Sequence, residues 1–169
     1  PVGPIVEVLN EHMRAGKINA FGGSNWSAAR VQEANAYAAA HGLEGFSASS
    51  PNFSLAVQVK EPWPNCVSIS GPQGQGDRAF YEQTQMPIFT WSSLAGGFFS
   101  GRIRRENMAQ QVEYLDKLAV ESYCSDDNFE RLDRAEQLAA EKGLTIPQIA
   151  MAYVMSAPMN IFALIGSRT

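Results

Sequence analysis

Apolar residues fall along this chain in short blocks divided by glycine and proline, and the spacing inside each block indicates an element. Ile5, Val6, Leu9 and Met13 recur at helical intervals, with Gly16 placed as a C-terminal cap. Residues 18–23 are too short for a helix between two breakers and read as a buried strand. Ser27 is placed as the N-cap of a second helix, with Val31, Ala34 and Ala38 inward and Gly42 as its stop. A weaker strand over 46–49 follows, ending at Pro51. Residues 56–76 hold Pro62, Pro64, Pro72 and the run GPQGQG, which predict a flexible surface loop. A helix over 78–85 and a strand over 87–91 (PIFTW) come next, then a Gly/Ser-rich loop. Residues 126–142 form an amphipathic helix with Leu132, Ala135 and Leu138 on one face and Gly143 closing it. Thr145 and Gln148 make a capping box, with Pro147 in the first turn of a helix reaching about Met155. An apolar strand over 161–165 ends the series.

The order is therefore α-β-α-β-α-β-α-α-β. Strands separated by helices imply right-handed crossovers and a parallel sheet. Strands apolar throughout imply burial on both faces. Periodicity does not separate a barrel from an open sheet. The length of 169 residues fits a single domain over 1–169.

In parallel α/β folds ligands bind at the carboxyl ends of strands. Those ends here read Gly22-Gly23-Ser24-Asn25, Ser50-Pro51-Asn52, Trp91-Ser92 and Gly166-Ser167-Arg168. Amides and hydroxyls suit a carboxamide, an aromatic ring suits stacking, and glycines with an arginine suit phosphates. On general grounds Trp91 also fits a core position, Asn25 a helix cap and Arg102 a solvated surface.

Composition narrows the field. Hydrophobic residues make up 45% of the chain, as in a globular core, and a net charge of −4 leaves no electrostatic footprint for nucleic acid. No apolar run approaches the roughly 20 residues of a membrane span. Cys66 and Cys124 lie far apart without a histidine at metal spacing and read as reduced thiols of a cytoplasmic protein. The GPQGQG run follows no strand and lacks the Lys-Ser/Thr ending of a phosphate loop. His12 and His41 sit at surface or capping positions.

Four segments then carry a resemblance. GKINAFGGSNWS, SPNFSL, WSSLAGGFFSGR and LIGSR, in that order, resemble the second half of an aldo-keto reductase, from the helix before the fifth barrel strand to the end of the eighth. The resemblance implies a parallel (β/α)8 TIM barrel of which this chain is the C-terminal half. It also implies hydride transfer between NADP(H), or NAD(H), and a small-molecule aldehyde or ketone. Ser24 and Asn25 match the pair that bonds the nicotinamide carboxamide, and Asn52 stands where the family usually has glutamine for the same amide. Trp91 matches the residue that stacks on the nicotinamide. Ser92, Leu94 and Gly96 match the loop around the pyrophosphate, and Arg102 the basic residue that pairs with it. Gly166, Ser167 and Arg168 match the segment at the adenosine end, where an arginine favours a 2′-phosphate.

The family's Tyr, Lys, Asp and His tetrad belongs to the first half of the barrel, and no residue here matches it. Tyr37, Tyr81, Tyr114, Tyr123 and Tyr153 fall on helices or loops away from strand ends, so no catalytic residue is assigned. Half a barrel leaves open edges and an uncovered inner face. A longer parent, or self-association, is expected to cover them. Two other classes stay open: a nicotinamide-binding regulatory module without catalysis, and a half-barrel that homodimerises.

Overall fold

A computed structural model describes residues 1–111 and 113–166. Along the chain run α1 (Gly3–Arg14), β1 (Gly22–Ser24), α2 (Ala28–Ala40), β2 (Ala48–Ser50), α3 (Gln75–Thr84), β3 (Ile88–Thr90), α4 (Tyr114–Tyr123), α5 (Asp126–Lys142), α6 (Ile146–Met155) and β4 (Ile161–Ala163). Short 3-10 helices cover Pro72–Gly74, Ala95–Ser100 and Arg105–Gln110. The strands form one sheet in the order β1-β2-β3-β4, every neighbouring pair parallel. Each parallel pairing needs a crossover, which the helices supply. Spatial order follows chain order with no reversal, as in a partial (β/α) barrel and unlike a doubly wound sheet with its switch point.

Burial along the strands alternates, which corrects the expectation of strands covered on both faces. Ile88 and Thr90 are buried, whereas Phe89 between them is 39% exposed and Phe162 on β4 is 48% exposed. These two phenylalanines pair in register and stack with centroids 5.1 Å apart. Helices cover one face of the sheet, so the apolar residues of the other face stay open. Leu164 and Ile165, expected within the last strand, lie beyond it at 47% and 62% exposure.

Local differences have local causes. In α1 the buried positions are Gly3, Val6 and Asn10, with Val2 buried just before it, while Ile5 is exposed and Leu9 and Met13 are half-buried. Asn10 tolerates burial because its amide donates to the carbonyls of Val6 and Glu44 and accepts from the Glu44 amide, each at 2.9 Å. The ladder covers only Gly22–Ser24 of the apolar run starting at Ile18; Asn19 and Ala20 are exposed. The GPQGQG run is not a loop throughout. Pro72 opens a 3-10 turn and α3 starts at Gln75, because Gly74 lies against the Ile69 backbone, where a Cβ would sit 2.2 Å from the carbonyl oxygen. In α5 the buried positions are Asn128, Phe129, Leu132, Ala135 and Ala139, and Leu138 is 37% exposed. Helix α4, absent from the sequence reading, buries Asp116, Ala119, Ser122 and Tyr123. Two polar residues on that inner face mask its periodicity. Ser27 caps α2 and Thr145 with Gln148 caps α6, both as read.

The largest apolar cluster joins the 3-10 turn at Ala95–Ser100, α4 and α5 through Phe98, Phe99, Ile103, Tyr123, Phe129 and Leu132. It seats the loop after β3 on the helical layer. No helix among the described residues is long and apolar enough to cross a membrane.

Burial pushes the Cys124 thiol from 9.0 up to about 11, and burial likewise raises Tyr81 and Tyr123 above 10.0. The folded chain thus retains protons that the unfolded chain releases at lower pH. This stabilisation is complete below about pH 9 and is lost as pH climbs through the folded values. Urea midpoints are expected to hold steady from pH 7 to 8.5 and to fall between pH 9.5 and 11; a flat midpoint across that range contradicts the burial of these groups.

Candidate functional site

The strands are three residues long, so pairing beyond their carboxyl ends falls to loops and side chains. Asn25, one residue past β1, has φ 55, a left-handed conformation that asparagine tolerates better than most residues. Its amide donates to the Ser50 carbonyl at 3.1 Å. Its Oδ1 accepts from Trp91 Nε1 at 3.1 Å and from the Val67 amide at 3.2 Å. One side chain therefore ties the end of β1 to the indole after β3 and to the long segment after β2.

Asn52 does the matching work after β2. It is fully buried; its Nδ2 donates to the Trp91 carbonyl at 2.9 Å and to the Tyr123 hydroxyl at 3.3 Å, and its Oδ1 accepts from Ser68 Oγ at 2.7 Å. Both its N–H donors are engaged inside the protein and no atom of it meets solvent, so it fixes Trp91 from behind. Trp91 is thereby held at both its ring nitrogen and its carbonyl.

The loop after β3 turns tightly. Ser92, Ala95, Gly96, Gly97 and Gly101 all have positive φ, of which only the glycines adopt it without steric cost. At the loop's end Arg102 pairs with Asp116 of α4, Nη2 to Oδ1 at 3.2 Å, the arginine side chain 49% exposed and the aspartate 6%. Asp116 lies in the first turn of α4, where the helix dipole favours negative charge. A guanidinium has five N–H donors, so one bond to a carboxylate leaves others able to meet a second anion.

These elements border a cleft of about 760 Å³ lined by Ser92, Leu94, Gly96, Arg102 and Gly166, and also by Trp63, Tyr123, Leu164 and Ile165. The structure thus brings five of the residues read from the sequence onto one surface. Asn25 and Trp91 adjoin it, bonded to each other, with Trp91 packed on Trp63 at 5.0 Å. Ser24 is exposed at the end of β1. Ser167 and Arg168 lie outside the described residues.

Tyr123 was read as remote from the strand ends, and its position corrects that. Its buried hydroxyl meets Asn52, Gln58 Nε2 at 3.1 Å and the Ser92 side chain. Burial raises its pKa, while the Gln58, Ser92 and Asn52 bonds work the other way. Trp63 and Asp116 were also missed; one stands in a proline-rich loop and the other on an unread helix, and neither carries a spacing signal. His12 and His41 are exposed, His41 stacked on Tyr37 with its Nδ1 2.8 Å from the Tyr37 carbonyl oxygen. No group of three or more His, Cys, Asp or Glu side chains among the described residues is placed to hold a metal. The site offers an aromatic plane, hydroxyls, an exposed cation and a tightly turned backbone, a set suited to binding a polar aromatic anion.

The aldo/keto reductase family model matches residues 1–169. Among curated proteins, the Oryza sativa subsp. japonica "Probable voltage-gated potassium channel subunit beta" is 25% identical, covering 100% of this chain and 48% of its own length. The Bacillus subtilis "Uncharacterized oxidoreductase YrpG" is 23% identical over 100% of this chain and 46% of its own. A Saccharomyces cerevisiae "Probable aryl-alcohol dehydrogenase" is 25% identical, at 97% and 46%. The chain spans about half the length of these relatives.

Replacing Tyr123 by Phe removes one hydroxyl from three partners and strands a buried Asn52 donor. Tyr123→Phe is expected to lower unfolding free energy by about 1–3 kcal/mol. Tyr153→Phe, at an exposed tyrosine, is expected to stay within about 0.5 kcal/mol. Equal urea midpoints for the two variants contradict the bonded hub.

Proposed function

This chain belongs to the aldo/keto reductase family, and on that premise we propose that its strand-end cleft binds a nicotinamide dinucleotide in an oxidoreductase that moves a hydride between cofactor and an aldehyde or ketone. The observation that carries the reading is the convergence of Ser92, Leu94, Gly96 and Arg102 on one cleft beside the bonded Asn25–Trp91 pair. The cleft's volume lies in the range typical of small-molecule sites, about 300–1,000 Å³.

In this reading Trp91 is the ring platform. Its orientation is set by Asn25 and Asn52, so little freedom is lost on stacking. Ser24 and the side-chain Nδ2 of Asn25 serve the carboxamide, since Asn25 Oδ1 is already taken by Trp91 and Val67. Ser92, Leu94 and Gly96 wrap the pyrophosphate, and Arg102 pairs with it while retaining Asp116. Gly166, Ser167 and Arg168 serve the adenosine end, and an arginine there favours the 2′-phosphate of NADP(H) over NAD(H). The nicotinamide supplies or accepts the hydride when bound. The chain's own residues orient it and keep water from one face.

We take residues 1–169 as one domain, whose open sheet face, with Phe89 and Phe162, packs against the rest of a longer barrel or a second copy. The proton donor comes from outside this sequence. Tyr123 reaches the strand ends, and its hydroxyl is buried among three partners. The chain by itself is accordingly expected not to oxidise NAD(P)H with an aldehyde. Measurable turnover contradicts that.

One relative's name favours a second reading. The rice protein is named as a potassium channel subunit, so a nicotinamide-binding regulatory subunit is the alternative. Both readings share the cofactor site, and carbonyl turnover by the complete protein separates them.

Titration with NADPH and NADH, followed by cofactor fluorescence, tests the shared claim. Trp91→Ala is expected to weaken binding by about 1 kcal/mol, from lost aromatic stacking. Arg102→Gln is expected to weaken it and to flatten its salt dependence, because an exposed cation acts through screened charge. Affinity unchanged in both variants contradicts the cleft as the cofactor site.

A further inference from the structure

The segment between β2 and α3 crosses the strand ends, and it is fastened unevenly. At its start Val57 exchanges hydrogen bonds with Asn128 of α5, its amide donating to Oδ1 at 3.0 Å and its carbonyl accepting from Nδ2 at 2.7 Å. Gln58 bonds the Tyr123 hydroxyl, and the Val59 amide donates to the Ser122 carbonyl at 2.9 Å. Farther on, the Val67 amide donates to Asn25 and its carbonyl accepts from the Asn52 amide at 2.8 Å.

Between these anchors the tip, residues 61–66, is braced on itself. The Asn65 amide donates to Glu61 Oε2 at 3.0 Å, and Pro62 and Pro64 flank Trp63 and restrict its backbone. The tip touches the site through the Trp63 indole, whose centroid lies 5.0 Å from that of Trp91 with planes 32° apart. Trp63 remains 46% exposed. Pro62 and Trp63 line the cleft. The indole of Trp63 therefore both packs on Trp91 and borders the cleft holding Ser92 and Arg102.

We propose that Trp63 is a displaceable aromatic cap that occupies the Trp91 ring in the absence of cofactor and lifts away, with the tip, when a nicotinamide ring stacks there. The inference rests on the cofactor reading above. Two aromatic planes compete for one indole face, so each occupant's affinity is reduced by the other's presence. Lifting Trp63 breaks one ring contact while leaving the Val57 and Val67 anchors in place. The cap shields Trp91 from water in the free protein and adds specificity, because only a ring that stacks better than Trp63 gains the platform.

The test compares wild type, Trp63→Ala and Trp63→Phe by NADPH titration, together with the circular-dichroism exciton couplet from the paired indoles. Trp63→Ala is expected to bind NADPH about two- to ten-fold more tightly, the worth of one aromatic pair, with Trp63→Phe between. Saturating NADPH is expected to abolish the wild-type couplet, which both variants lack from the start. Binding by Trp63→Ala alone also supports the cap. If wild type binds and Trp63→Ala binds equally or more weakly, the cap is overturned while the cofactor reading stands. If none of the three binds NADPH, both fall. Should Trp63→Ala not fold, a couplet that persists in NADPH-saturated wild type overturns the proposal.

Discussion

The parallel strands are three residues long, and past them pairing thins to single backbone bonds such as Asn25 to Ser50, Trp91 to Pro51 and Leu164 to Thr90, so side chains have to complete it. Two asparagines meet that need. A carboxamide donates and accepts at once, so it can stand in for a peptide group in bridging chain segments. Asn25 bridges β1 to Trp91 and Val67, and Asn52 bridges Trp91, Ser68 and Tyr123. Without these bonds Trp91 has neither a fixed ring nor a fixed carbonyl, and the loop beginning at Ser92 has no fixed origin.

That constraint connects the core to the cleft. Phe98 and Phe99 pin the loop after β3 to α4 and α5, while positive φ values at Ser92, Ala95, Gly96 and Gly97 let it double back. The same α4 supplies Asp116 to Arg102 and Tyr123 to Asn52, so one helix steadies both the loop's cation and the platform's support. Backbone strain at Ala95 persists because the residue is fully buried in the packed cluster with Phe98 and Phe99.

Much of this was legible in the sequence. Glycine and proline punctuation gave the strands in order, and capping residues gave the start of α2, the end of α5 and the start of α6. The candidate cleft followed from the polar character of the strand ends. Other features were hidden for physical reasons. Helix α4 turns Asp116 and Ser122 inward, so its apolar period is broken. Asn52 reads as a ligand contact because a strand-end amide is chemically fit for one, while its bonds to Trp91, Ser68 and Tyr123 carry no local sequence signal. Tyr123 reaches the strand ends from a helix distant in sequence, and Trp63 from a loop, and neither proximity follows from local periodicity. The strands read as doubly buried because their residues are apolar, yet residue type does not show which face lacks a covering layer.

The central claim is that the strand-end amides, the platform and the loop act as one site for a nicotinamide dinucleotide. Amide hydrogen exchange of the protein with and without saturating NADPH addresses it most directly. Slower exchange is expected over 92–102 and around Asn25, with α1 and α3 unchanged. Protection absent from those segments, or confined to the cleft between α5 and α6 that Arg131, Arg134 and Tyr153 line, contradicts it.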